Sequence, residues 1–273
     1  MAEIKAADVS KLRKATGAGM MDCKKALQEA DGDFEKAIDV IRKKGQIVAS
    51  KRADREAGEG TVQAKVKGNF GAIISLNCET DFVAKNENFV AFAKSILDRA
   101  LEERPRTLDD LRKLKLEDKS VEEKIIEQTG IIGEKLELTY YDYIESAKVI
   151  EYNHFGNNLA TLVGFNKADV DNQVAKDVAM QVAAMSPVSI DKDDVPEEII
   201  RKEREIGREK ALQEGKPESI VDRIAEGMVQ KFLKESTLLN QDFTKDSKKT
   251  IAQYLKEADK ELKVTGFKRF SIK

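Results

Sequence analysis

Histidine occurs once in the 273 residues, as His154, and cysteine only twice, as Cys23 and Cys78. Without a His/Cys or His/Asp cluster there is little to hold a transition metal or to activate a nucleophile. A pairing of Cys78 with His154 across the fold is the one nucleophilic option left, set against the ordinary reading of Cys78 as a buried thiol at the end of an apolar strand. No metal and no cofactor is expected. Two cysteines without CxxC spacing exclude a disulfide scaffold and fit a reducing compartment, with the cytoplasm as the default. Long apolar runs are missing too: no window approaches the roughly 20 apolar residues of a membrane span. The start, MAEIKAADVSKLRK, carries charges where a signal peptide would need an apolar stretch. Neither sign of charge dominates, with 48 Lys and Arg against 50 Asp and Glu and a net charge of -2. No global field therefore attracts nucleic acid or an anionic membrane, and direct binding to either is not expected.

What the chain does have is 41% hydrophobic and 36% charged residues, enough for a core and long enough for more than one unit. The first fifty or so residues read as three short helices. Val9, Leu12 and Ala15 share one face before the cap Thr16-Gly17; Cys23, Ala26, Leu27 and Ala30 share the next; Asp33 caps a third helix that buries Phe34, Ala37, Ile38 and Ile41 and is read as stopping at Gly45. A basic stretch and the linker ADREAGEG follow, so a boundary is placed near residue 55.

Beyond it the period becomes alternating. Val62, Ala64 and Val66, the turn Lys67-Gly68-Asn69 and the run Gly71 to Leu76 predict a β-hairpin. NCETDFVAKNENF, residues 77–89, then reads as a polar loop that holds Thr80, Asp81 and Phe82, with a helix starting near Phe89. KLELTYYDYIE, residues 135–145, predicts a closing strand. The same order recurs: VIEYNHFGNNLATLVGF matches the hairpin, Val174, Val178, Val182 and Met185 match the helix, and ELKVTGFKRFSI matches the closing strand. An internal duplication of one α+β unit follows. Residues 195–236 are excess in the second copy, with Ile199, Ile200, Ile206 and Leu212 before Gly215-Lys216-Pro217 and Ile220, Ile224, Met228 and Phe232 after it. They predict an antiparallel helical hairpin with a thin apolar stripe. Such a hairpin is marginal alone, so dimerisation, docking on a partner and leaning on its own domain all stay open.

TGAGMMDCKKAL at 16–27 and NCETDFVAKNENF at 77–89 resemble the elongation factor Ts family, and the order of parts agrees over nearly the whole chain. The resemblance implies an α+β protein: a three-helix, ubiquitin-associated-like module at 1–54, core subdomains with antiparallel sheets at 55–145 and 146–273, and a coiled-coil hairpin at 195–236 in the second. It implies a guanine-nucleotide exchange factor, without bond-making chemistry of its own, that acts on elongation factor Tu in translation. The matching contact positions are Leu12, Arg13, Met20 and Met21 in the N-terminal module, Thr80, Asp81, Phe82 and Val83 in the exchange loop, and His154 in the second core. The chain departs from the family's usual Gly-Arg turn after His154, where Phe155-Gly156-Asn157-Asn158 stands. From the residues alone Phe82 is either a wedge for a partner or a lid on its own hairpin. Met20-Met21 is either an adaptable contact or core, and Arg13 either an ion-pair partner or a solvated charge. A homodimer through the core or the hairpin stays open as well.

Overall fold

The protein is represented by a computed structural model that describes residues 4–272. Three helices open the chain: α1 (Ala6–Thr16), α2 (Met20–Glu29) and α3 (Phe34–Lys51). Gly17 caps α1 in the left-handed region at φ 71, where a Cβ would be strained, and Asp33 accepts from Lys36 N to cap α3. Leu12, Cys23, Ala26, Leu27 and Ala37 form the small core of the module. Helix α3 does not stop at Gly45; it runs on to Lys51 with Gly45 buried. A glycine in mid-helix costs about 1 kcal/mol against Ala in isolation, and here close approach to a second helix explains its presence.

The first half of the remainder comprises β1 (Glu59–Lys67), β2 (Phe70–Cys78), α4 (Asp81–Ala84), α5 (Glu87–Glu103), α6 (Leu108–Lys113), β3 (Lys115–Leu116), β4 (Lys119–Ser120), α7 (Val121–Ile132) and β5 (Glu137–Glu145). The second half comprises β6 (Lys148–Asn153), β7 (Leu159–Phe165), α8 (Asn172–Met185), α9 (Glu197–Gln213), α10 (Glu218–Ser236), β8 (Asp242–Phe243), β9 (Asp246–Thr250), α11 (Ile251–Ala258) and β10 (Val264–Ser271). The two main sheets are antiparallel, three-stranded and ordered alike, β1-β2-β5 and β6-β7-β10, with a hairpin strand at the centre of each.

These sheets stack on each other. In β2, Phe70, Ala72, Ile74, Leu76 and Cys78 pack toward α5, while Ile73 points the other way to meet Ala160 and Leu162 of β7. Phe165 and Val163 of β7 face α8 and α11 in turn. The result is helix, sheet, sheet, helix, in which β2 is buried along its whole length. That burial on both faces is why its residues read as a continuous run rather than an alternation. Tyr140 and Phe270 stack across the seam with centroids 4.1 Å apart, and the Asn153 side chain bridges both backbone groups of Ala64.

The hairpin of α9 and α10 differs from its sequence reading in one respect. Its seam is made by Gly207, Ala211, Val221, Ala225 and Val229, whereas Ile206 and Leu212 are 43% and 51% exposed. A Cβ on Gly207 would lie 3.0 Å from Ala225 Cα, so small residues let the two helices approach closely. Met185, matched to the helix core in the sequence, is likewise 44% exposed at the last turn of α8. Among the described residues, no helix is long and apolar enough to cross a membrane.

Candidate functional site

The stretch after β2 is not a loop but the one-turn helix α4. Thr80 caps it, accepting from Val83 N at 3.4 Å, and its fold follows from packing Val83 and Ala84 against the first core. Phe82 on the opposite side is 84% exposed, so it is no lid on its own hairpin. It overlooks an open cleft of about 580 Å³ whose walls include Phe89, Phe92, Ile131 and Gly17. Gly17 stands three residues before Met20, so the N-terminal module and the protruding turn border one concavity.

Two carboxylates grip the base of α4. Glu134 accepts from Thr80 N at 3.0 Å and from Thr80 Oγ1 at 2.7 Å. Glu79 accepts from Arg52 Nη1 at 2.7 and 2.8 Å and from Lys135 N at 2.6 Å. The backbone bond from Lys135, then the Arg52 guanidinium, hold the Glu79 carboxyl below its usual range. Asp81 is held low by Lys85, whose Nζ donates to it at 2.7 Å. Burial pushes the Cys78 thiol up to about 12, and its Sγ donates to Thr80 O at 3.2 Å. Cys78 is thus a buried free thiol at the end of an apolar strand. His154 engages Tyr152 Oη at 3.0 Å through Nδ1.

The N-terminal positions separate. Met20 and Met21 are 59% and 62% exposed, and Arg13 is exposed on α1. Leu12, by contrast, is wholly buried in the core of the module, because the apolar face of α1 turns inward. His154 is exposed on the β6–β7 turn beside Phe155, which is 96% exposed. Val62 N donates to Asn157 O at 2.6 Å and Ile272 N to Asn158 O at 2.9 Å. That turn therefore sits against the start of β1, whose residue Gly60 pairs with Asn77 at the end of β2. Both exposed rings, Phe82 and Phe155, thus belong to the same end of the paired sheets.

Sequence reasoning missed Glu134, Arg52 and Phe155. Glu134 lies 54 residues from Thr80 and carries no local signal, whereas Phe155 could have been found as an aromatic in a turn. The second copy carries no equivalent ring after β7; Lys167 stands there, bound to Asp259 at 2.6 Å and Glu261 at 3.1 Å. Among the described residues, no group of three or more His, Cys, Asp or Glu could hold a metal ion.

The fold and the braced turn define an α+β protein that presents two exposed rings, Phe82 and Phe155, at one end of its paired sheets. The family model described as Elongation factor TS matches residues 79–273. The chain is 51% identical over 265 residues to an elongation factor Ts from Azobacteroides pseudotrichonymphae, covering 97% of each chain. It is 52% identical over 266 residues to one from Porphyromonas gingivalis, again covering 97% of each, and 48% identical over the full length of both chains to one from Christiangramia forsetii. The chain belongs to the elongation factor Ts family, the nucleotide exchange factors of translation elongation.

Proposed function

We propose that the protein binds elongation factor Tu in its GDP-bound form and promotes GDP release by disturbing the Mg²⁺ and phosphate site, which lets GTP rebind. The observation that carries this reading is Phe82, 84% exposed on a turn braced at its base. A GTPase holds its diphosphate through loop amides, helix N-termini and Mg²⁺. A factor that binds better to the disturbed cradle shifts the equilibrium toward it, and the coupling is reciprocal, so nucleotide expels the factor in turn. The process uses binding alone and makes no bond.

In this reading Phe82 enters an apolar gap of the partner, and Asp81 addresses groups near the metal. Asp81 is exposed enough to exchange Lys85 for a new partner at little cost, since water screens a solvated pair of this kind. Burying one phenylalanine yields about 1.5–3 kcal/mol, whereas a decisive two-state shift needs about 5.5 kcal/mol. Separate anchors must supply the rest. We assign that role to Arg13, Met20 and Met21 on the module of residues 1–54, and to the turn bearing His154 in the second core, 146–273, with the wedge in the first, 55–145. The encounter is cytoplasmic in this reading.

The test is stopped-flow release of a fluorescent GDP analogue from the cognate elongation factor Tu. Release that accelerates and saturates with added protein supports the reading, and release at the spontaneous rate defeats it.

A further inference from the structure

We propose that Glu134 and Arg52 are positioning residues that set the aim of Phe82, acting through Thr80 and Glu79; the inference rests on the exchange reading above. Helix α4 spans four residues and buries none of them fully. So short a helix cannot sustain itself, because nucleation is unfavourable and one turn recovers little of it. Its direction is therefore decided by what holds its base.

The Glu134 carboxylate receives both the N–H and the hydroxyl of Thr80, one on each oxygen. Because the Thr80 hydroxyl donates to Glu134, its lone pair is turned to accept Val83 N–H, which closes the first turn. One residue earlier, Glu79 is locked by Arg52 and by Lys135 N–H. Charge-assisted bonds of this kind are short and directional. The two residues that precede the wedge are thus clamped from two sides.

Those two sides have distinct origins. Arg52 caps the end of α3, the last helix of the N-terminal module, while Glu134 follows Gly133, the left-handed cap of α7. Helices α3 and α7 meet at Gly45 and Gly130. The seating of the module on the first core and the aim of the ring consequently share one framework. A partner that grips the module pulls on the same helix whose end holds Glu79.

The test uses the full chain with Glu134→Gln, in which the amide keeps an acceptor for the Thr80 hydroxyl but presents NH₂ to Thr80 N–H. Nucleotide release is followed over a range of factor concentrations, and amide hydrogen exchange is followed at residues 80–85. The expected result is a maximum release rate lower by about threefold to tenfold, with a half-saturating concentration changed by less than about twofold, the scale of one weakened charge-assisted bond felt after docking. Amides of residues 80–85 exchange faster, and Glu134→Gln adds no further loss to Phe82→Ala, since an absent ring has no aim. An unchanged maximum rate, or an equal loss with and without Phe82, overturns the proposal. If Phe82→Ala itself leaves release unchanged, the exchange reading fails, and amide exchange at residues 80–85 alone decides the brace: faster supports it, unchanged overturns it. Arg52→Lys, which keeps the charge, carries the same expectations if Glu134→Gln does not fold.

Discussion

Gly45 of α3 and Gly130 of α7 meet backbone to backbone, and the contact is asymmetric. A Cβ on Gly130 would overlap Gly45 Cα, whereas a Cβ on Gly45 would lie an ordinary 3.4 Å from Gly130 Cα. Alanine in a helix interior gains about 1 kcal/mol over glycine, but overpacking costs about 1–3 kcal/mol. Gly130→Ala is therefore expected to lower the melting temperature and expose the 52–57 linker to protease, while Gly45→Ala leaves both unchanged or slightly improved. Equal behaviour of the two variants in calorimetry would contradict this geometry.

Phe82→Ala separates function from stability. The ring is exposed, so unfolding free energy should stay within about 0.5 kcal/mol of the parent. The maximum rate of nucleotide release should fall roughly tenfold to a hundredfold, matching the apolar burial lost on the partner. Denaturant unfolding beside stopped-flow release reads both quantities.

Leucine and methionine at the N-terminal module should part company. Leu12→Ala empties a wholly buried site and is expected to destabilise the module by about 2–5 kcal/mol. Met20→Ala with Met21→Ala, at exposed positions, should leave the melting temperature in place and raise the half-saturating concentration in the release assay. A stable module with unaltered saturation would remove the methionines from the interface.

Asp177 gives a pH signature to the second core. Burial alone would raise its carboxyl, but donation from Lys245, Tyr254 and Gln173 outweighs that, and the carboxyl is held below its ordinary 3.8. A lowered folded value means that its contribution is complete above the ordinary range and is lost as pH falls through the lowered value. Asp177→Asn should accordingly flatten the acid limb of the melting temperature below about pH 4 and lower the plateau near neutrality. A parallel acid limb in the variant would show that Asp177 does not contribute to it.

Much of the fold was legible in the chain because its signals are local. Gly17 and Asp33 marked helix ends through their backbone and side-chain chemistry, and Gly68-Asn69 marked the hairpin turn between β1 and β2. The repeat of hairpin, helix and closing strand was legible because each copy buries its own apolar face, and both sheets have the same strand order. The reading failed where a residue answered to something distant. Gly45 looks like a helix stop until Gly130 is beside it. Helix α4 looked like a loop because a single turn has no periodicity to show.

The sequence by itself determined most of the elements and the repeat of hairpin, helix and closing strand, since capping and alternation are properties of neighbours along the chain. Only the tertiary structure decided that the two sheets stack through Ile73, Ala160 and Leu162, that Phe82 faces solvent, and that its base is held by Glu134 and Arg52. The physical reason is separation: Thr80 and Glu134 stand 54 positions apart, and Arg52 and Glu79 27 apart. Hydrogen bonds across such spans leave no pattern in the chain and exist only once packing has brought the helices together.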